Sequence, residues 1–500
     1  MSDDAQKPTA PALPTLKLKP KAHKQGIKPS AKSTAKSAAK PTAKHGSKAD
    51  ISKAKPKSEN QFKSEKQSKP DTQSMLKSRQ ICYELLCAVE EGSQLDHALT
   101  AQEDINKLDD RDRRFVRLLA TTCLRRRGQI EKIIAPMISR RPFGAQANAN
   151  LILLMGAVQL LVLKTGAHAA VDSTVELMRQ SGFERLCGMA NAVMRRLTRE
   201  GDTRFETTAP VDNLPDWLLQ SWNEHWGHDA TAKLADMAMN PPPLDISAKA
   251  SPEALASKLE GELIDNYTIR RAFDGDPSRL AGFADGEWWV QDAAAALPAR
   301  LLSDIKGKDV IDLCAAPGGK TAQLIASGAN VTAIDSGRKR VDRLRRNLGR
   351  LGMKATLKQA DGRRFVPDMP VDAILLDAPC SATGTLRRRP DILGRRQPED
   401  IESLQNLQWE LATTALGWLK AGGALVYATC SLQPEEGEEM VAAIIEAGED
   451  KIVIDPITSE QAGIFARSLT EDGTLRILPH QFDDIGGVDG FFAARLIALV

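Results

Sequence analysis

Residues 310–321 read Val310-Ile311-Asp312-Leu313-Cys314-Ala315-Ala316-Pro317-Gly318-Gly319-Lys320-Thr321. An apolar, β-branched run passes through small residues and two glycines directly into helix-forming sequence. The spacing predicts a strand over 310–313, a tight turn, and a helix over 321–327. Two glycines let a ligand approach the backbone, and a helix N-terminus offers unpaired amides to an anionic group. The turn is not GxGxxG, which counts against a dinucleotide.

Working outward, the same alternation continues. Strands are predicted at 331–334, 373–376 and 424–427, with helices at 339–351, 401–419 and 435–447. Strands separated by helices define an α/β class with a parallel, doubly wound sheet, in which ligands lie beyond the carboxyl ends of the strands.

The residues at those ends carry the chemistry. Asp335 closes the second strand, 16 residues after Gly319, placed to accept hydrogen bonds from ribose hydroxyls. Asp361-Gly362 closes a further segment and offers a second acid to a polar edge. The fourth strand ends in Asp377-Ala378-Pro379-Cys380-Ser381 and the fifth in Ala428-Thr429-Cys430-Ser431. Neighbouring parallel strands lie about 4.8 Å apart, so adjacency of these two would bring both thiols and the Asp377 carboxylate into one pocket.

Two thiols and an acid suit one demanding reaction, methylation of carbon 5 of cytosine. That carbon is a poor nucleophile until a thiolate adds to carbon 6 and turns the ring into an enamine-like system. An acid near N3 stabilises the charge that develops. A base then removes the carbon 5 proton, and the thiol is eliminated. Residue chemistry alone leaves open which cysteine attacks.

The rest of the chain sets the context. Its 500 residues are 42% hydrophobic and 27% charged, a soluble globular composition. The longest apolar run, residues 151–163, is too short to span a bilayer and suits a buried helix. Seven cysteines without a CxxC pair exclude a disulfide framework and a zinc ribbon, and His225 and His228 have no evident cysteine partner. No metal and no membrane are expected. No secretory signal is visible, so a cytoplasmic location is expected.

Residues 1–70 hold 17 Lys and five acids, a net charge of +12 within a total of +3, leaving −9 on the remainder. With almost no large apolar side chains, residues 1–72 read as a disordered Lys-rich tail, a tether for a polyanion. Residues 73–205 read as a helical bundle. Arg111, Arg113, Arg114, Arg117 and the Arg125-Arg126-Arg127 triplet are its expected phosphate-contacting face. Residues 206–290 read as a small α+β connector, with strands at 244–248 and 262–264 around a helix at 252–259. The α/β domain occupies 291–500.

These strings resemble the RNA cytosine carbon-5 methyltransferases of the RsmB/Sun/Nop type, over about residues 75–500. Residues 313–321 look like the family's S-adenosylmethionine loop, and Asp335, Asp361 and Asp377 match its remaining cofactor and active-site acids. Asp377–Ser381 with Gly384 and Arg389-Pro390-Asp391-Ile392 looks like its fourth motif. Thr429-Cys430-Ser431 with Pro434-Glu435-Glu436 looks like its sixth, and Leu478-Pro479-His480 with Asp489-Gly490-Phe491-Phe492 is similar to its terminal strands. The bundle, ending in Asn191-Ala192-Val193-Met194-Arg195, is similar to the NusB-like RNA-binding domain of the bacterial rRNA member.

The resemblance implies a Rossmann-like methyltransferase domain with Cys430 as nucleophile and Cys380 assisting proton removal or product release. Asp377 is implied in catalysis. Cys314, Ala315, Ala316, Pro317, Gly318, Gly319, Lys320, Asp335, Asp361 and Asp377 are implied in binding S-adenosylmethionine. The expected substrate is RNA, above all 16S rRNA, and the protein is expected to be a monomer. A transfer RNA cytosine methyltransferase and a non-catalytic RNA-binding assembly factor are the alternatives. Two stretches depart from the family pattern. Ser247-Ala248-Lys249 replaces an Arg-x-Asn, and Gly437 stands where Asn is common, a change expected to affect only local helix capping.

Overall fold

The computed structural model describes residues 72–272 and 275–499. The Lys-rich tail therefore lies outside the described residues, apart from its last position, which opens the first helix. Seven α-helices build the part that follows: α1 (Thr72–Glu90), α2 (Leu95–Ala101), α3 (Asp110–Arg125), α4 (Arg127–Ile134), α5 (Ala149–Leu161), α6 (Ala167–Gln180) and α7 (Cys187–Glu206). Asp109 starts α3 by accepting the Asp112 N–H at 2.7 Å, and Val116, Leu119, Ala120 and Cys123 face the core. The periodic stretch from Phe115 to Ile134 breaks at Arg126 into two helices. Gly128 explains the close fit there, because a side chain at that position would meet the backbone of Asp212. The apolar stretch in α5 is a core helix, buried from Leu151 through Gln159. Its Gly156 lets Thr174 of α6 and Met194 of α7 pack onto the helix backbone.

The connector adds α8 (Asp216–Trp226), α9 (His228–Ala238) and α10 (Pro252–Leu259) to a four-stranded antiparallel sheet. Its strands are β1 (Leu244–Ala248), β2 (Glu262–Leu263), β3 (Thr268–Arg271) and β4 (Trp288–Val290), in the order β2-β3-β1-β4. The two expected strands are β1 and β2. Neither β3 nor β4 was expected, since each is only three or four residues long and lacks a distinct alternation.

After α11 (Ala293–Arg300) comes the large sheet. It contains β5 (Asp309–Leu313), β6 (Asn330–Asp335), β7 (Thr356–Gln359), β8 (Val371–Asp377), β9 (Leu419–Thr429), β10 (Ile452–Ile454), β11 (Leu475–Ile477) and β12 (Phe491–Ala498). Helices α12 (Gly319–Ala326), α13 (Arg338–Leu351), α14 (Ile392–Arg395), α15 (Pro398–Leu416) and α16 (Glu438–Gly448) connect its strands. The order is β10-β12-β9-β8-β5-β6-β7, with β11 also pairing β12.

The expected parallel arrangement holds from β7 to β9. β12 instead enters antiparallel to β9, and β10 and β11 each pair antiparallel with β12. β5 leads outward to β6 and β7 on one side, while β8 and β9 lie on the other. The strand order reverses between β5 and β8, where a crevice opens at the carboxyl ends.

Arg125 ties the three parts together. Buried, it donates through Nε to the Ala238 carbonyl at 2.9 Å and through Nη2 to the Arg387 carbonyl at 2.7 Å.

Candidate active site

The crevice between β5 and β8 is built by the loop that leaves β5. Gly318 takes φ +104°, a conformation L side chains rarely adopt, and lies against Leu344 of α13. The turn delivers Thr321 to donate its hydroxyl to the buried Asp312 carboxylate. Burial, then the nearby Asp377 charge, pushes the Asp312 carboxyl up to about 7, although the Thr321 bond opposes this.

One residue earlier, Lys320 reaches across to the end of β8 and places Nζ 2.7 Å from Asp377 Oδ2. Its ammonium also sits 5.2 Å from the centre of the Phe491 ring. Burial alone would lower the Lys320 pKa. The Asp377 charge and hydrogen bond outweigh it and raise the value, and Cys430 adds to the effect.

β8 and β9 are neighbours, with Asp377 opposite Ala428. The two sulfur atoms consequently meet, Cys380 Sγ lying 3.5 Å from Cys430 Sγ. That is a hydrogen-bond separation, far beyond the roughly 2.05 Å of a disulfide. Cys380 is held well above the usual thiol range, first by its hydrogen bond to Cys430 and then by burial.

A buried carboxylate fixes both cysteine loops. Glu436 accepts the Ser381 N–H at 2.9 Å, the Ser431 hydroxyl at 2.6 Å and the Ser381 hydroxyl. Gln408 of α15 donates its Nε2 to Glu436 at 3.0 Å and to the Pro379 carbonyl at 2.8 Å. Burial raises the Glu436 pKa against these hydrogen bonds. Sequence reasoning assigned Glu436 no role. The available signal was the serine after each cysteine, since two hydroxyls in one buried site require a shared acceptor.

A second cluster was also missed. Arg388 pairs with Asp292 at 2.6 Å and Asp489 at 2.9 Å, while Asp245 holds Arg270 through two 2.7 Å bonds. Burial pushes the Asp489 carboxyl up to about 7 despite Arg388. The loops after β8 and before β12 touch here. Gly490 N–H donates to the Gly384 carbonyl at 2.8 Å, an approach that side chains would block.

A cavity of about 710 Å³ opens over this assembly. Asp312, all seven residues from Cys314 to Lys320, Asp377, Arg388 and Asp489 line it, with Trp289 and Gln291 on the connector side. Neither Cys380 nor Cys430 lines it, although Cys430 lies near enough to Lys320, and Cys380 to Asp377, for their charges to interact.

Asp335 and Asp361 also stand outside the lining. Asp335, at the end of β6, accepts the Ala316 N–H at 3.3 Å and the Gly337 N–H at 3.0 Å, and pairs with Arg340 at 2.8 Å. Asp361 pairs with Arg363 at 2.7 Å, which holds its carboxyl below the usual range. Among the described residues no group of three His, Cys, Asp or Glu side chains could hold a metal ion.

The expected phosphate face on α3 is only partly available. Arg125 is buried in backbone hydrogen bonds, Arg127 pairs with Glu90 and Glu131, and Arg113 donates to the Leu108 carbonyl at 3.0 Å. A run of arginines carries no record of which members face inward. Lys249, in the stretch that departs from the family pattern, instead braces the connector by donating to the Leu351 carbonyl at 2.6 Å. Gly437 does more than cap α16. A side chain there would collide with the Arg476 guanidinium, which is paired with Glu438 at 2.6 Å.

Comparison with known proteins agrees with this architecture. Residues 299–497 match the family described as 16S rRNA methyltransferase RsmB/F, and residues 76–199 match the NusB family. The chain is 35% identical over 431 residues to the ribosomal RNA small subunit methyltransferase B of Klebsiella pneumoniae subsp. pneumoniae, covering 82% of this chain and 95% of that protein. It is 33% identical to the protein of the same name from Salmonella arizonae, over the same shares. In fold it is similar to the crystal structure of PH0851, with a TM-score of 0.66 at 22% identity, covering 84% of this chain and 98% of that one.

Proposed function

The chain belongs to the RsmB/F family of 16S rRNA methyltransferases, and from that premise we propose that it methylates carbon 5 of a cytosine in 16S rRNA through a covalent Cys430 adduct. The observation that carries this reading is the meeting of Cys380 Sγ and Cys430 Sγ at 3.5 Å beside the Lys320–Asp377 pair. Methylation of an exocyclic amine has no use for two such thiols.

The cavity fits a nucleoside-sized donor. Its volume of about 710 Å³ falls in the range of small-ligand sites, and its floor is the glycine turn. Residues 314–320 would hold S-adenosylmethionine. Asp335 would take its ribose if the exposed Arg340 swings aside, and Asp361 a polar edge of the adenine. S-adenosylmethionine supplies the electrophilic methyl group.

The chain's own residues do the rest. Cys430 enters as a thiolate facing the Lys320 ammonium. Its sulfur bonds to carbon 6 of the cytosine, the electrons of the 5,6 double bond shift toward N3, and N3 takes a proton from the Lys320 ammonium that Asp377 holds. Once carbon 5 carries the methyl group, it gives up its proton to solvent, with Cys380 assisting the removal. The carbon 6–sulfur bond then breaks, the double bond re-forms, N3 returns its proton and Cys430 leaves as a thiolate. The target base must leave its stack to reach the sulfur atoms, which is easiest in rRNA not yet assembled. The helical part, the connector and the charged tail would hold the RNA.

Bisulfite mapping of 16S rRNA from a strain lacking the gene tests the proposal. The expected result is one cytosine that loses protection and regains it when the intact gene returns. Unchanged 16S rRNA with a lost mark on transfer RNA would overturn the choice of substrate.

A further inference from the structure

A second cavity, of about 520 Å³, lies between α3 and the loop after β8. Arg117, Arg125, Arg126, Arg387 and Arg388 line it, together with Leu118, Thr121 and Met239, and none of its described lining residues is acidic. Asp292 and Asp489 offset Arg388 and act on Arg387, whereas Arg125 meets only backbone carbonyls. Burial, then repulsion from Arg126 and Arg387, pushes the Arg125 guanidinium down to about 10. Burial also lowers Arg387, which is buried yet has an Nε without a partner. Asp236 and Asp276 act on Arg126 and Arg117 from outside the lining.

The buried Arg387 Nε is a donor that an anionic oxygen in the groove would satisfy. Arg388 lines both this groove and the 710 Å³ cavity, so a single side chain borders the two. Leu118, half exposed, adds an apolar surface on which a base can rest.

We propose that this arginine groove binds the phosphodiester backbone of the RNA strand flanking the target cytosine and feeds that strand into the active-site cavity. The inference rests on the RNA-methylating reading above. Its substrate class is single-stranded RNA, gripped through phosphates without base readout.

The test measures the dissociation constant of the full-length protein for a labelled single-stranded RNA carrying the target site, as a function of KCl concentration. Arg117→Gln with Arg126→Gln should weaken binding several-fold and make the log–log salt slope shallower by about 1.4, at about 0.7 for each phosphate no longer neutralised. Thr121, on the groove wall, provides a control of opposite sign. Thr121→Arg should steepen the slope and tighten binding, and Thr121→Glu should do the reverse, a pair of shifts that misfolding does not mimic. If the wild type methylates this RNA but none of these substitutions moves the slope, the groove proposal is overturned while the function stands. If the wild type transfers no methyl group to RNA, the underlying reading fails first.

Discussion

Lys320 Nζ and Asp377 Oδ2 lie 2.7 Å apart across the mouth of the crevice, joining the first turn of α12 to the end of β8. Lys320 is only 11% exposed and Asp377 33%, so water screens the pair incompletely. Replacing Lys320 with Met and Asp377 with Asn in a double-mutant cycle should return a coupling of about 1–3 kcal/mol by urea unfolding. Because the folded state raises the Lys320 pKa, this contribution is fully present below the free lysine value near 10.4 and fades only above it. Methyl transfer by Lys320→Met should fall about 100-fold or more, as when a preorganised charge partner is removed.

Cys430→Ala should abolish methylation and give no protein–RNA species resistant to denaturing gels. Cys380→Ala should slow turnover and accumulate that species, because addition still occurs while release is impaired. A dead Cys380→Ala without adduct, alongside an active Cys430→Ala, would reverse the assignment of roles.

Asp312 gives a stability test. Its pKa rises from 3.8 to about 7 in the folded state, so its favourable contribution is complete below pH 4 and is lost as pH climbs through 7. Asp312→Asn keeps the shape without the charge. Its stability relative to the wild type should improve by a few kcal/mol between pH 4 and pH 7.5, measured by urea unfolding at each pH. A constant difference would show that Asp312 stays ionised throughout.

Gly437→Asn restores the residue common in the family, and it should destabilise this chain by about 1–3 kcal/mol, since Arg476 and Phe492 occupy the space. Arg476→Lys in the same background should recover part of the loss. Unchanged thermal stability of Gly437→Asn would mean that Arg476 moves aside freely.

How much of the fold and site is legible in the sequence follows from the range of each interaction. The turn at 314–320 and the endings of β8 and β9 could be read because strand period and glycine punctuation are local signals. The convergence of Cys380 and Cys430 followed from one topological step, the adjacency of two parallel strands. The partners of Lys320 and Arg388 could not be read, because each lies more than 50 residues away on another element. The arginine run misled for a related reason. Charge alone does not say that Arg125 turns inward to two carbonyls while Arg117 stays exposed.

Glu436, whose role came from the fold, acts as a positioning residue. Its carboxylate holds the serines after both cysteines, and no atom of it lines the cavity. Glu436→Gln replaces one acceptor oxygen with a donor, so one of the two loops loses its anchor and the sulfur atoms drift apart. The expected effect is a 10- to 100-fold drop in kcat, about 1–3 kcal/mol in barrier, with KM for S-adenosylmethionine unchanged, because residues 314–320 are untouched. Glu436→Asp, which keeps the charge but shortens the reach, should recover part of the rate. A rise in that KM with kcat unaffected would mean that Glu436 supports the cofactor cleft instead of the thiols.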